Sequence, residues 1–184
     1  MILPIAIWPS DKLTQECLKV ITVSEETDTL CEHLEETMLF YGGIGIAAPQ
    51  VGIPLQVFLI STEIDESSPV GTLSRAFINP EIVEVSEELI SNIEGCLSFP
   101  EIFIKISRPA WCVIKATGRD GKEFTFDTRE VKGLPGSSED GGLLSRAILH
   151  EFDHITGKTM IDFVGNLRRN MVRKKLKKRK NKLK

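Results

Sequence analysis

His150-Glu151-Phe152-Asp153-His154 is the stretch from which the rest of the chain is read. On a helix, residues four apart stand one turn apart on the same face, so two imidazoles can reach one tetrahedral ion. The glutamate between them then lies close enough to act on a water beside that ion. The surrounding residues, from about Leu143 to Thr156, are expected to form that helix, closed by Gly157. An isolated H-E-x-x-H also arises by chance, as a helix with solvated histidines and a salt-bridged acid. A catalytic metal site needs a third protein ligand, with one position left open.

The third ligand separates the possible classes. Continuation as H-x-x-G-x-x-H would give a metzincin; Gly157 fits, but the final position is Met160. A thermolysin-like site needs a glutamate well downstream, yet Asp162 is the last acid in the chain. The remaining histidine, His33, falls in the first helix and reads as a surface residue. The ligand therefore comes from upstream, and the best candidate is Cys96 in Glu94-Gly95-Cys96-Leu97-Ser98-Phe99-Pro100. Alone, such a cysteine reads as a small buried hydrophobe. Beside a histidine pair it is a soft ligand for divalent iron, zinc, nickel or cobalt.

Outward from these segments, Ser24 to Tyr41 reads as an amphipathic helix with Leu30, Leu34, Met38 and Tyr41 at helical spacing and Gly42-Gly43 as its stop. Strand-like runs follow at 56–60, 76–85, 89–93, 102–106, 111–116 and 123–126. Asn79-Pro80, Arg108-Pro109 and Gly118-Arg119-Asp120-Gly121 supply turn signals between them, the last as a hairpin candidate. Residues 132–142 are rich in Gly, Ser and acids and read as an exposed loop. A last helix is expected from near Asp162. Helices gathered around a run of strands predict an α+β fold, with mixed or antiparallel strands around the central metal-binding helix and a helix at the C-terminal end.

With 184 residues, 41% hydrophobic and 27% charged, the chain can bury a core without disulfide staples. No apolar run approaches the roughly 20 residues of a membrane helix, and the apolar start, Met1 to Trp8, lacks the flanks of a signal peptide. Four scattered cysteines suit a reducing cytoplasmic compartment, whether a bacterial cytosol or an organelle interior. The net charge of −3 conceals two electrostatic objects. Residues 168–184 hold eleven Lys or Arg and no acid, so the remaining 167 carry twelve bases against all 26 acids, a net −14. The expected division is a catalytic domain over residues 1–167 and a basic tail over residues 168–184.

Three segments together resemble peptide deformylase: Gly43-Ile44-Gly45-Ile46-Ala47-Ala48-Pro49-Gln50 as G-φ-G-φ-A-A-x-Q, Glu94 to Ser98 as E-G-C-L-S, and His150 to His154 as H-E-x-D-H, in that order. Pro9 to Leu13 and Gly142-Leu143-Leu144 extend the resemblance over nearly the whole chain. It implies Cys96, His150 and His154 as metal ligands and Glu151 as catalytic acid/base. It implies Gln50 and the backbone N–H of Leu97 as oxyanion donors. Ile44, Gly45 and Gly95 become the backbone positions that pair with an extended peptide, and Leu143 and Ala147 line a methionine pocket. The implied ion is Fe²⁺, replaceable by zinc, nickel or cobalt. The implied substrates are N-formyl-methionyl peptides, with the tail from Arg168 to Lys184 as a contact to ribosomal RNA and no contact with a membrane. Asp153 is read as a partner orienting a histidine, Glu94 as a possible partner of Arg108, and Phe152 as packing away from the metal. Two departures stand out: Leu149 where the family often has Gln, and a long loop from Val131 to Gly141.

Overall fold

A computed structural model describes residues 1–61, 74–131 and 142–182; the long loop noted above, beyond Val131, lies outside the described residues. Among the described residues three α-helices, α1 (Glu25–Phe40), α2 (Leu143–Ile155) and α3 (Asn166–Lys182), pack around seven strands. The strands are β1 (Gly45–Ala47), β2 (Val57–Ser61), β3 (Ser74–Val85), β4 (Leu89–Glu94), β5 (Ile104–Pro109), β6 (Cys112–Thr117) and β7 (Glu123–Asp127). Five form an antiparallel sheet in the order β1-β2-β3-β6-β7, while β4 and β5 pair antiparallel by themselves. The α+β expectation holds.

Side chains alternate across a strand, and β2 shows why its whole sequence is apolar. Val57 and Leu59 join Leu30, Leu34 and Met38 of α1, whereas Phe58 and Ile60 join Leu144, Ala147 and Ile148 of α2. A helix covers each face, so every β2 residue is buried. Burying such side chains stabilises by about 1.5–3 kcal/mol each. The stacked Phe58 and Phe77 rings, 4.9 Å apart, centre the layer under α2. α2 is the metal-motif helix, and this packing fixes which of its faces points away from the sheet.

Several expected boundaries move for local reasons. Ser24 is the N-cap residue of α1, and its N–H donates to Thr27 Oγ1 at 3.3 Å. Gly45 to Ala47 is an edge strand paired with β2, not a loop. Asn79-Pro80 lies inside β3, where the register to β6 shifts between Ile78 and Glu81 and Asn79 has φ +50; the turn signal is a β-bulge. Ile102 is not in a strand, since its N–H donates to Phe99 O in a turn, and β5 continues instead through Arg108-Pro109 to its end. Gly118 and Gly121 close the β6–β7 hairpin as expected, with Gly118 N–H on Lys122 O at 2.8 Å. Asp162 does not start the last helix. Its carboxylate accepts the Thr159 N–H at 2.9 Å within a single turn, Met160–Phe163; Val164 is then extended and α3 begins beyond Gly165.

α3 carries mostly cations, yet Val172 and Leu176 are buried with Trp8, Phe99, Ile102 and Ile104. The basic segment is thus packed against the segment that follows the cysteine. No helix among the described residues is long and apolar enough to cross a membrane.

Candidate active site

α2 and the end of β4 bring the ligands together. Cys96 Sγ lies 3.3 Å from His154 Nε2, and one ligand atom from each of Cys96, His150 and His154 falls within 4.8 Å of the others. His150 Nδ1 is 2.9 Å from Glu94 Oε2, which turns its other nitrogen towards Cys96. One soft sulfur and two imidazoles, with space for an exogenous ligand, form a donor set for a divalent transition metal. Burial, with help from the neighbouring cations, holds His154 well below its ordinary pKa, in the neutral form that ligates a metal. Burial also pushes His150 down, but Cys96, Glu94 and Glu151 outweigh it and hold the ring protonated well above its ordinary value. The position therefore favours a cation, and a metal fits it by replacing that proton.

Behind the ligands lies a buried ionic network. Arg108 Nε and Nη2 fork onto Glu94 at 2.5 and 3.0 Å, and Nη1 reaches Asp153 Oδ2 at 2.8 Å. Glu94 thus receives Arg108 as well as His150. Burial alone would raise its pKa, but the hydrogen bonds reverse that and hold it below the usual carboxylate range. Asp153 has the single contact to Arg108, and burial prevails to raise it. The carboxylate that orients a histidine is therefore Glu94, and Asp153 reaches that histidine only through Arg108. A charged fork locks the ring more firmly than a lone helix acid could.

Glu151 is 4% exposed and its Oε2 meets no hydrogen-bond partner among the described residues. Burial raises its pKa to about 7. A carboxyl near neutrality both takes and returns a proton. It packs on Gly45, where a side chain would collide with it: a β-carbon there would stand 2.7 Å from Glu151 Oε1. Gln50 comes from the turn after β1. Its Oε1 accepts the Ala47 N–H at 2.8 Å, which directs the amide NH₂ to Cys96 Sγ at 3.5 Å and Ser98 Oγ at 3.3 Å.

A cavity of about 560 Å³ opens over these groups. Ile44, Gly45 and Gln50 line it with Gly95, Cys96 and Leu97, and Leu143, Ala147, His150 and Glu151 of α2 line it too. His154 sits behind them, fully buried. Every residue expected at the site is therefore brought together. His33 is half-buried on α1 and outside the cluster, while Phe152 and Leu149 pack against the core under α2. Sequence reasoning missed the outer wall: Tyr41, Ile93, Glu101, Phe103 and Arg146. An exposed aromatic in a strand-like run, as Phe103 is, was the one available signal.

The chain matches the polypeptide deformylase family over residues 2–170. It belongs to that family, whose members are metal-dependent hydrolases. Among its relatives, a peptide deformylase of Agrobacterium fabrum is 37% identical over 174 residues, covering 94% of this chain and 92% of the relative. Peptide deformylase 1 of Rickettsia conorii is 36% identical over 182 residues, covering 98% and 97%. Of solved structures, a Legionella pneumophila peptide deformylase superposes with TM-score 0.83 at 32% identity, covering 98% of this chain and 96% of that one. One from Ehrlichia chaffeensis reaches 0.86 at 26% identity, covering 99% and 98%.

Proposed function

We propose that this chain hydrolyses the N-formyl group from N-formyl-methionyl nascent polypeptides and releases formate. What carries the reading is the position of Glu151: a buried carboxyl whose Oε2 meets no hydrogen-bond partner among the described residues, beside the Cys96–His150–His154 donor set and lining the cavity. A merely structural metal site needs no such group.

Cys96, His150 and His154 hold the ion, taken to be Fe²⁺ and replaceable by Zn²⁺, Ni²⁺ or Co²⁺. When bound, it supplies Lewis acidity to the formyl carbonyl and to the attacking water. Glu151 accepts the water's proton and returns it to the departing amine. Gln50 and the Leu97 N–H donate to the carbonyl oxygen as charge develops there; losing one such donor typically costs about 10²–10³ in rate. The backbone of Ile44, Gly45 and Gly95 pairs with the extended peptide, and Leu143 and Ala147 contact the methionine side chain. Residues 1–167 carry this chemistry in a cytoplasmic setting, and Arg168 to Lys184 contact ribosomal RNA through its phosphates. The test is formate release from formyl-Met-Ala-Ser by the iron- or nickel-loaded protein, with acetyl-Met-Ala-Ser as control. Equal release of formate and acetate, or none of either, defeats the reading.

A further inference from the structure

The outer rim of the cavity is held from behind by α3. Glu101 and Phe103, exposed in the link from β4 to β5, belong to that rim. Glu101 has φ +61, a left-handed conformation that a residue with a side chain keeps only where surrounding contacts over-determine it. Those contacts come from α3. Lys175 Nζ donates to Glu101 O at 2.8 Å, the Arg179 guanidinium pairs with the Glu101 carboxylate, and Arg168 Nη2 donates to Phe103 O at 3.1 Å. Val172 and Leu176 seal the same face against Phe99 and Ile102. Positions 168, 172, 175, 176 and 179 follow the helical repeat, so one face of α3 makes every one of these contacts.

Apolar packing by Val172 and Leu176 would suffice to dock the helix. Three cations are aimed besides at two rim residues with one residue between them in the chain, Glu101 and Phe103. Phe103 is the sensitive point, because its ring lies so close over Gly95 that a β-carbon there would be 3.1 Å from it. Gly95 is a backbone position read as pairing with the peptide, and Phe103, 65% exposed, lines the cavity beside it.

We infer that Arg168, Lys175 and Arg179 are positioning residues for the reaction proposed above: through Glu101 and Phe103 they set the grip on the chain beyond the methionine and leave the hydrolytic step alone. This rests on the deformylase reading of the cavity. The family match ends at residue 170, so two of the three cations lie outside it.

The test compares the metal-loaded protein with its Arg168→Met/Lys175→Met double variant on two substrates. Formyl-Met-Ala-Ser extends two residues beyond methionine, towards the rim on this reading, and formyl-methionine amide ends at the methionine. For the tripeptide the KM is expected to rise about tenfold with kcat little changed, the pattern of lost uniform binding through one or two hydrogen bonds. Kinetics on the amide should stay as they are, and Arg168→Lys/Lys175→Arg should restore the tripeptide KM. In parallel, amide hydrogen exchange at Ile102 and Phe103 should accelerate in the Met variant while α2 stays protected. An unchanged KM, an equal effect on both substrates, or unchanged exchange at the rim overturns the inference. If the wild-type protein releases formate from neither substrate, the deformylase reading fails, and the exchange measurement still decides whether α3 holds the rim.

Discussion

The Glu151 carboxylate rests on the α-carbon of Gly45, with 2.7 Å between its Oε1 and the place where a β-carbon would be. The catalytic candidate on α2 and the edge strand β1 therefore occupy one space, and a single methyl group would contest it. In Gly45→Ala either the carboxylate or β1 must shift. A displacement of about 1 Å in a reacting group can cost ~100-fold in rate, so kcat should fall by roughly that factor. Metal analysis should still show a loaded site, because the three ligands do not touch Gly45. Near-normal turnover in the alanine variant would mean that Glu151 has room to spare.

Glu151→Gln separates proton transfer from metal holding. The amide keeps the shape but cannot accept a proton, and general acid–base groups contribute about 10²–10⁴. Turnover should drop by that order while about one ion per chain remains bound, as expected of a site with three other protein ligands. Metal and activity lost together would place Glu151 among the ligands.

How far the sequence reached is clearest at this pair. Local chemistry marked both ends: H-E-x-x-H on a helix, and a glycine in G-φ-G-φ-A-A-x-Q. That the two touch follows from β1 pairing with β2 and from α2 packing on β2, which no local signal encodes. The same holds for the partner that orients His150. Asp153, the expected partner of a histidine, meets Arg108 instead, whereas Glu94 comes from β4, 56 residues away, and reaches the ring because Arg108 bridges the two strands and the helix. Asn79-Pro80 misled for a different reason. Its chemistry specifies a local backbone kink, and only the pairing of β3 with β6 decides whether that kink is a turn or a bulge.

Glu94 also sets a pH dependence of stability. Its folded pKa is depressed by His150 and Arg108 despite burial. Its contribution is therefore complete above its unfolded value of about 4.3 and is lost as pH falls through the lower folded value. Glu94→Gln leaves Arg108 half-paired, and breaking a buried ion pair costs about 3–5 kcal/mol. Denaturant titrations should show that gap from pH 6 to 8, shrinking below about pH 4 as the wild-type carboxylate protonates. A difference that is independent of pH would show that the charge of Glu94 contributes nothing.

Removing the metal should expose one thiol. Burial pushes Cys17, Cys31 and Cys112 up to about 11 and encloses them in the core, so they stay protonated and slow to react. Cys96 is half-buried at the cavity. With the site loaded, an alkylating reagent at pH 8 should modify little; after chelation, Cys96 alone should react quickly, and zinc should protect it again. The same exposure predicts that an iron form loses activity in air faster than a nickel form, through metal and then sulfur oxidation. Rapid modification of two or more cysteines after chelation would mean that the metal holds the core itself together.

The proposed ribosome contact calls for surgery finer than truncation. Deleting residues 170–184 would remove Val172 and Leu176 from the core as well as the charge. Lys174, Lys177 and Lys178 lie on the solvent side of α3, away from Arg168, Lys175 and Arg179. Reversing the three to Glu should leave the packed face in place. Contacts to phosphates give affinity without sequence reading and weaken steeply with salt, each contributing a slope of about 1 in the log–log plot. The triple variant should co-sediment with ribosomes far less at low salt, and its salt slope should be shallower by about 2–3. Pelleting as efficient as wild type at every salt concentration would show that the basic face of α3 does not meet RNA.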